Sequence, residues 1–113
     1  MAGMQVWTTR RDDGLVVLGA RGPLDIDTAP VLRNAVDGLL SEPIPQIIID
    51  LSGITFCDSI GLGTFAYAHV ASVARGGFLR LACPTPFLVK LLDTVGLSDK
   101  VAVYESVEQA ASA

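Results

Sequence analysis

Ile47-Ile48-Ile49-Asp50-Leu51-Ser52-Gly53-Ile54-Thr55-Phe56-Cys57-Asp58-Ser59-Ile60-Gly61-Leu62-Gly63 is the stretch whose reading decides the fold. Its three isoleucines form an unbroken β-branched run, the pattern of a central strand buried on both faces. Its end, Cys57-Asp58-Ser59, opens a long helical pattern. There the spacing predicts that Leu62, Phe65, Ala66, His69, Val70 and Val73 share one inward face, with Gly76-Gly77 as the stop. A buried strand turning into a helix is the repeating unit of an α/β sheet.

Upstream, Met4 to Thr9 alternates like a strand, and Arg11-Asp12-Asp13-Gly14 turns the chain into a second apolar run, Leu15 to Ala20. Two β-rich runs joined through Asp-Gly read as a hairpin, and Gly22-Pro23 breaks it. Asp27 or Thr28 can cap the next helix, which tolerates Pro30 in its first turn. Leu32, Ala35, Val36, Leu39 and Leu40 supply its apolar face, and Pro43 and Pro45 end it.

Downstream, Phe78 to Cys83 reads as a fourth strand. Pro84 and Pro86 open a third helix with Phe87, Leu88, Leu91 and Leu92 facing inward, and Gly96 stops it. Val101 to Tyr104 is a short last strand, and Ser106 caps a terminal helix running to Ala110. The sum is an α/β chain, read as a single domain over residues 1–113. Its sheet is mixed and mostly parallel, with about five strands, an N-terminal hairpin and about four helices. The hairpin makes one antiparallel edge and the short last strand the other.

Composition narrows the function. The chain has 113 residues, half of them hydrophobic and 18% charged, enough apolar material for one core. Its formal charge is −4 and its eight basic residues are scattered, which argues against direct nucleic-acid binding. Met1 to Arg10 lacks a basic stretch followed by an apolar one. The richest apolar segment, Ile60 to Ala74, is broken by Gly61, Gly63, His69 and Ser72, short of the ~18 uninterrupted residues a spanning helix needs. The expectation is a soluble cytoplasmic protein with no membrane partner.

Cys57 and Cys83 have neither zinc-site nor Cys-x-x-Cys spacing, and with one histidine in the chain no metal and no cofactor is expected. In a reducing compartment both cysteines read as small apolar residues. If the third and fourth strands are neighbours, both lie near C-terminal strand ends, so a redox pair within the ~4.4–6.8 Å Cα separation of a disulfide is a further candidate.

The chemistry-bearing motif is Asp58-Ser59-Ile60-Gly61-Leu62-Gly63. On spacing alone Ser59 reads as an ordinary helix cap, although the same helix start can receive a phosphoryl group. Gly61 and Gly63 remove side chains and would let another protein's backbone approach. Gly61 to Gly63 is no dinucleotide fingerprint, since the third glycine and the downstream acidic residue are missing. No Gly-x-Ser-x-Gly elbow exists. The sole base, His69, is ten residues along the same helix, about 15 Å from Ser59. His69 reads as a core or boundary residue, and the chain does not read as an enzyme.

Taken together, Gly22-Pro23-Leu24-Asp25 with Thr28-Ala29, Ile49 to Gly63, Gly76-Gly77-Phe78-Leu79-Arg80-Leu81 and Leu91-Leu92-Asp93-Thr94-Val95-Gly96-Leu97 make the chain resemble a STAS domain of the anti-anti-sigma factor family, in order and over nearly its whole length. The resemblance implies an anti-sigma factor antagonist. Unphosphorylated, such a protein binds an anti-sigma factor that is also a serine kinase, and so frees a sigma factor. Phosphorylation of the serine after the motif's aspartate, here Ser59, ends binding, and a serine phosphatase resets the switch. The partner-binding positions it implies are Asp25, Thr28, Asp58, Ile60, Gly61, Leu62 and Gly63.

A phosphoryl group adds about −1.5 to −2 charges. Beside Asp58, and beside Asp25 if its loop lies there, it meets like charge. A loss of ~4 kcal/mol would weaken binding roughly a thousandfold. Ile60 stands where many relatives carry Ser or Thr, so Ser59 is the motif's only hydroxyl, and Pro23 stands where relatives often have Glu. A non-phosphorylated STAS scaffold, transporter accessory or nucleotide-sensing module is the alternative. Oligomeric state is left open.

Overall fold

The computed structural model describes residues 3–113. Strands β1 (Gln5–Arg10) and β2 (Val16–Leu24) form the hairpin, pairing antiparallel from Gln5 opposite Arg21 to Arg10 opposite Val16. The turn between them needs Gly14, whose φ of +89° lies in the left-handed region. Helix α1 (Ala29–Leu39) follows, then β3 (Gln46–Cys57), α2 (Ser59–Ala74), β4 (Phe78–Ala82), α3 (Pro86–Thr94), a 3-10 turn at Leu97–Asp99, β5 (Ala102–Tyr104) and α4 (Val107–Ala111). The sheet order is β1-β2-β3-β4-β5, and every pair after the hairpin is parallel. The expected α/β architecture, five strands with a hairpin edge and four helices, is the observed one.

β3 explains the layering. Ile47, Ile49, Leu51, Ile54 and Cys57 face the main core, where α1 contributes Leu32 and Val36, α2 Phe65 and Ala68, and α3 Leu88 and Leu92. Ile48 faces the opposite side, in a smaller cluster with Leu15, Ala82 and Ala110 under α4. The isoleucine run is thus covered on both faces, as a central strand requires. Ser106 caps α4 by accepting the Gln109 amide at 3.0 Å.

Two expectations are corrected. In α2 the buried residues are Gly61, Leu62, Thr64, Phe65, Ala68 and Ser72, while Val70 and Val73 face solvent. The helix is apolar nearly all round, so hydrophobicity alone could not select its inner face. Apart from Leu62 and Phe65, it turns small or hydroxyl-bearing residues inward. In α3 only Leu88 and Leu92 are fully inward, and Phe87 is exposed.

The redox pair is also corrected. β3 and β4 are adjacent, but their pairing ends at Asp50 opposite Ala82. Cys57 lies seven residues past Asp50, whereas Cys83 lies one past Ala82, a stagger of ~20 Å at ~3.3 Å per residue. The two thiols also serve different clusters on opposite faces, and both are free. No disulfide can join them without unpairing the sheet.

Candidate functional site

The last residues of β2 and β3 place the site. Leu24 and Cys57 end the two strands side by side, and the Asp58 amide donates to the Leu24 carbonyl at 3.3 Å, so the loop after β2 and the start of α2 are stitched together. Asp25 organises that loop. One of its carboxylate oxygens accepts the amides of Asp27 at 3.0 Å and Thr28 at 3.2 Å. Thr28 is buried at the first helix's N-cap. Its hydroxyl donates to the Pro23 carbonyl at 2.7 Å and accepts the Asp25 amide at 2.9 Å. Thr28 therefore holds the loop from inside, its side chain buried.

Asp58 has extended backbone (φ −113°, ψ −173°), and its carboxylate accepts the Gly61 amide at 3.0 Å. It is the N-cap of α2. Ser59 is consequently the first helical residue and not the cap. It is exposed, and among the described residues its hydroxyl has no hydrogen-bond partner.

The two glycines differ in purpose. A Cβ on Gly61 would sit 2.6 Å from Leu24 Cγ, 2.9 Å from the Leu24 carbonyl oxygen and 2.9 Å from Cys57 Sγ. Gly61 lets α2 seat on its own sheet. Gly63 is exposed with nothing within 4 Å of such a Cβ, and the surface there is open to an incoming chain.

Ser59 and Gly63 form a ridge between two grooves. The first, about 480 Å³, lies between α1 and α2 and is lined by Ile26, Pro30, Arg33, Asn34 and Ile60. Ile26 and Ile60 are 67% and 48% exposed, leaving apolar surface beside the serine. On its far wall the Arg33 guanidinium stacks 3.9 Å from the Tyr67 ring centroid, and the Tyr67 hydroxyl donates to Asp37. That bond holds the phenol above its usual pKa. The second groove, about 360 Å³, lies between α2 and the segment after α3, with Leu62, Ala66, Val95 and Lys100 on its walls. Leu62, buried in the core, contributes only an edge here.

Asp25, Asp27 and Asp58 gather around this end of the sheet, so exposed apolar side chains stand within an acidic rim. Cys57 lies beneath it. Burial, with the Asp58 charge beside it, pushes its thiol up to about 11. Among the described residues no group of three or more His, Cys, Asp or Glu is placed to hold a metal ion, and no helix is long and apolar enough to cross a membrane. A larger pocket of about 530 Å³ at the ends of β4 and β5, lined by Pro84, Val89, Tyr104 and Glu105, contains none of the motif residues.

The sequence motif led to Asp58, Ser59, Ile60 and Gly63, which the structure brings together at the surface. It missed Arg33 and Lys100, which come from elements remote in sequence. A helical wheel of α1 could have suggested Arg33. Lys100 carries no local signal.

The model of the STAS domain family matches residues 6–110. The anti-sigma-B factor antagonist of Bacillus subtilis (strain 168) is 30% identical over 90 residues, covering 80% of this chain and 82% of that protein. An anti-sigma factor antagonist from Mycobacterium paratuberculosis has a crystal structure with a TM-score of 0.87 at 24% identity, covering 96% of this chain and 92% of the other. The Bacillus cell fate determinant SpoIIAA in its phosphorylated form has a TM-score of 0.73 at 21% identity, covering 96% and 97%. These two structures speak for the fold.

Proposed function

This chain belongs to the STAS domain family, and from that premise we propose that it is an anti-sigma factor antagonist switched by phosphorylation of Ser59. The unphosphorylated form docks an anti-sigma factor onto the surface formed by Ile26, Ile60 and Gly63, and so releases a sigma factor. The anti-sigma factor is also the kinase. It transfers the γ-phosphoryl group of a nucleoside triphosphate to Ser59 Oγ, the β–γ anhydride bond breaking to release the nucleoside diphosphate and the serine proton passing to the kinase's base. A phosphatase-activated water later returns serine and inorganic phosphate.

The observation that carries this reading is the division of labour at the start of α2: Asp58 caps the helix, and Ser59 is exposed and unbonded. A serine needed as a cap would be a poor substrate, because modification would remove the bond that holds the helix start. Ser59 is under no such constraint. The added dianion sits next to Asp58 and on the rim of an apolar surface, where a docking partner must desolvate it. The fold itself is under little strain from it, because the hydroxyl already faces water.

The test is a pull-down with wild type, Ser59→Ala and Ser59→Asp as bait, the captured protein being identified and assayed for kinase activity on the bait. Ser59→Ala is expected to retain the kinase and Ser59→Asp to lose it. Equal capture by all three, or no phosphate on wild-type Ser59 in the assay, refutes the switch and favours a non-phosphorylated scaffold.

A further inference from the structure

We propose that Lys100 is the internal counter-charge for a phosphoryl group on Ser59, a role that rests on the switch reading above. Ser59 lines two grooves. Each has one cation on its walls, but the two cations are not equivalent. Arg33 is stacked on Tyr67, and Asp37 lines the same groove, so an incoming anion there meets a cation already engaged and a carboxylate.

In the second groove Lys100 is the one charged side chain among the lining residues. It is exposed, and among the described residues it forms no ion pair. The rest of that lining, including Leu62, Ala66, Val95 and Leu97, is apolar and cannot compete for the ammonium.

The backbone under Lys100 is fixed. Its amide donates to the Leu97 carbonyl at 3.0 Å, and the next amide, of Val101, donates to the same oxygen at 2.9 Å. Leu97 and Val101 are both buried, so the turn anchors the lysine's base while its side chain is exposed. Asp58, immediately before Ser59, repels a dianion toward the side away from its own carboxylate. Lys100 draws it across the second groove. The phosphoryl group then lies over Leu62 and Val95, so phosphorylation adds charge to the ridge and covers an apolar strip beside it. An ammonium near a phosphate monoester also favours the dianion, lowering its second pKa from the ordinary value of about 6.

The experiment uses the full chain with phosphoserine incorporated genetically at position 59, so that it depends on no kinase. The phosphorus resonance is titrated by 31P NMR in the otherwise wild-type protein and in Lys100→Gln, Lys100→Arg and Arg33→Gln. The expected result is a second pKa below about 6, raised by about half a unit or more in Lys100→Gln, restored by Lys100→Arg and unmoved by Arg33→Gln. An unchanged titration in Lys100→Gln overturns the proposal, as does a shift that appears in Arg33→Gln instead. Lys100 is exposed, and an unchanged amide fingerprint spectrum of each variant excludes misfolding as the cause. Failure here leaves the pull-down result standing, and failure of the pull-down leaves this titration standing, so the two readings fall separately.

Discussion

Asp58 accepts the Gly61 amide at 3.0 Å, and that one bond relieves Ser59 of any duty in holding helix α2. The consequence is measurable. Asp58→Ala removes the cap and is expected to cost about 1 kcal/mol, within the ~0.5–2 kcal/mol spread of such losses. Ser59→Ala should stay within about 0.5 kcal/mol of wild type, as an exposed unbonded side chain should. Urea unfolding of the two variants checks this. A Ser59→Ala loss as large as that of Asp58→Ala would return the serine to the cap.

The glycines make a second contrast. Gly61→Ala forces a Cβ to within 2.6 Å of Leu24 Cγ and 2.9 Å of the Leu24 carbonyl oxygen, so α2 must lift from the sheet. The expected cost is about 1–3 kcal/mol, typical of overpacking. Gly63→Ala meets nothing within 4 Å and gains helix propensity, so it should stabilise the protein by up to ~1 kcal/mol. On the proposed docking surface the same methyl should weaken capture of the partner. Denaturation midpoints and the pull-down together separate the two effects.

The succession of elements along the chain, the hairpin edge and the helix number were legible because they rest on contrasts that sequence carries well: Ile47 to Ile49 against the prolines before it, and Gly76-Gly77 after a long helix. The inner face of α2 was not legible. Apolar residues occur all round that helix, and close packing on the sheet chose Ala68 and Ser72 over Val70 and Val73. The length of β3 was hidden too. The apolar run marks the strand only at Ile47 to Ile49, yet Asp50, Ser52 and Gly53 continue it beside β2, where Gly53 pairs with Arg21 next to a register shift. That hidden length made Cys57 and Cys83 look like neighbours. At the site, the motif led to the strand-to-helix junction at Asp58 and Ser59, but which of the two caps α2 was a matter of backbone angles at Asp58.

Thr28 should behave as an internal strut. Thr28→Val leaves the Asp25 amide and the Pro23 carbonyl without their hydroxyl partner, at an expected cost of about 1–3 kcal/mol. Partner capture by the fraction that remains folded should match wild type, because the side chain is buried. A variant that folds normally but fails to bind would show instead that Thr28 touches the partner.

The cysteines supply a test that depends on pH. Cys57 is held as the neutral thiol by burial and by the neighbouring Asp58 charge, with its pKa pushed up to about 11. At about pH 8 only roughly one native molecule in a thousand then carries the Cys57 thiolate. Cys83, half-buried and less protected, should take up a thiol reagent first, and oxidant should give no intramolecular disulfide. Because the folded pKa lies above the ordinary value of 9.0, the neutral thiol favours the folded state. That contribution is fully present below about pH 9 and is lost as the pH rises through about 11. The stability lost by about pH 10.5 is about 1 kcal/mol once solvent screening is discounted. Wild type should therefore lose more stability between about pH 8 and about pH 10.5 than Cys57→Ala does, when both are unfolded in urea. Equal losses in the two proteins would mean that the thiol is as easily ionised in the fold as out of it.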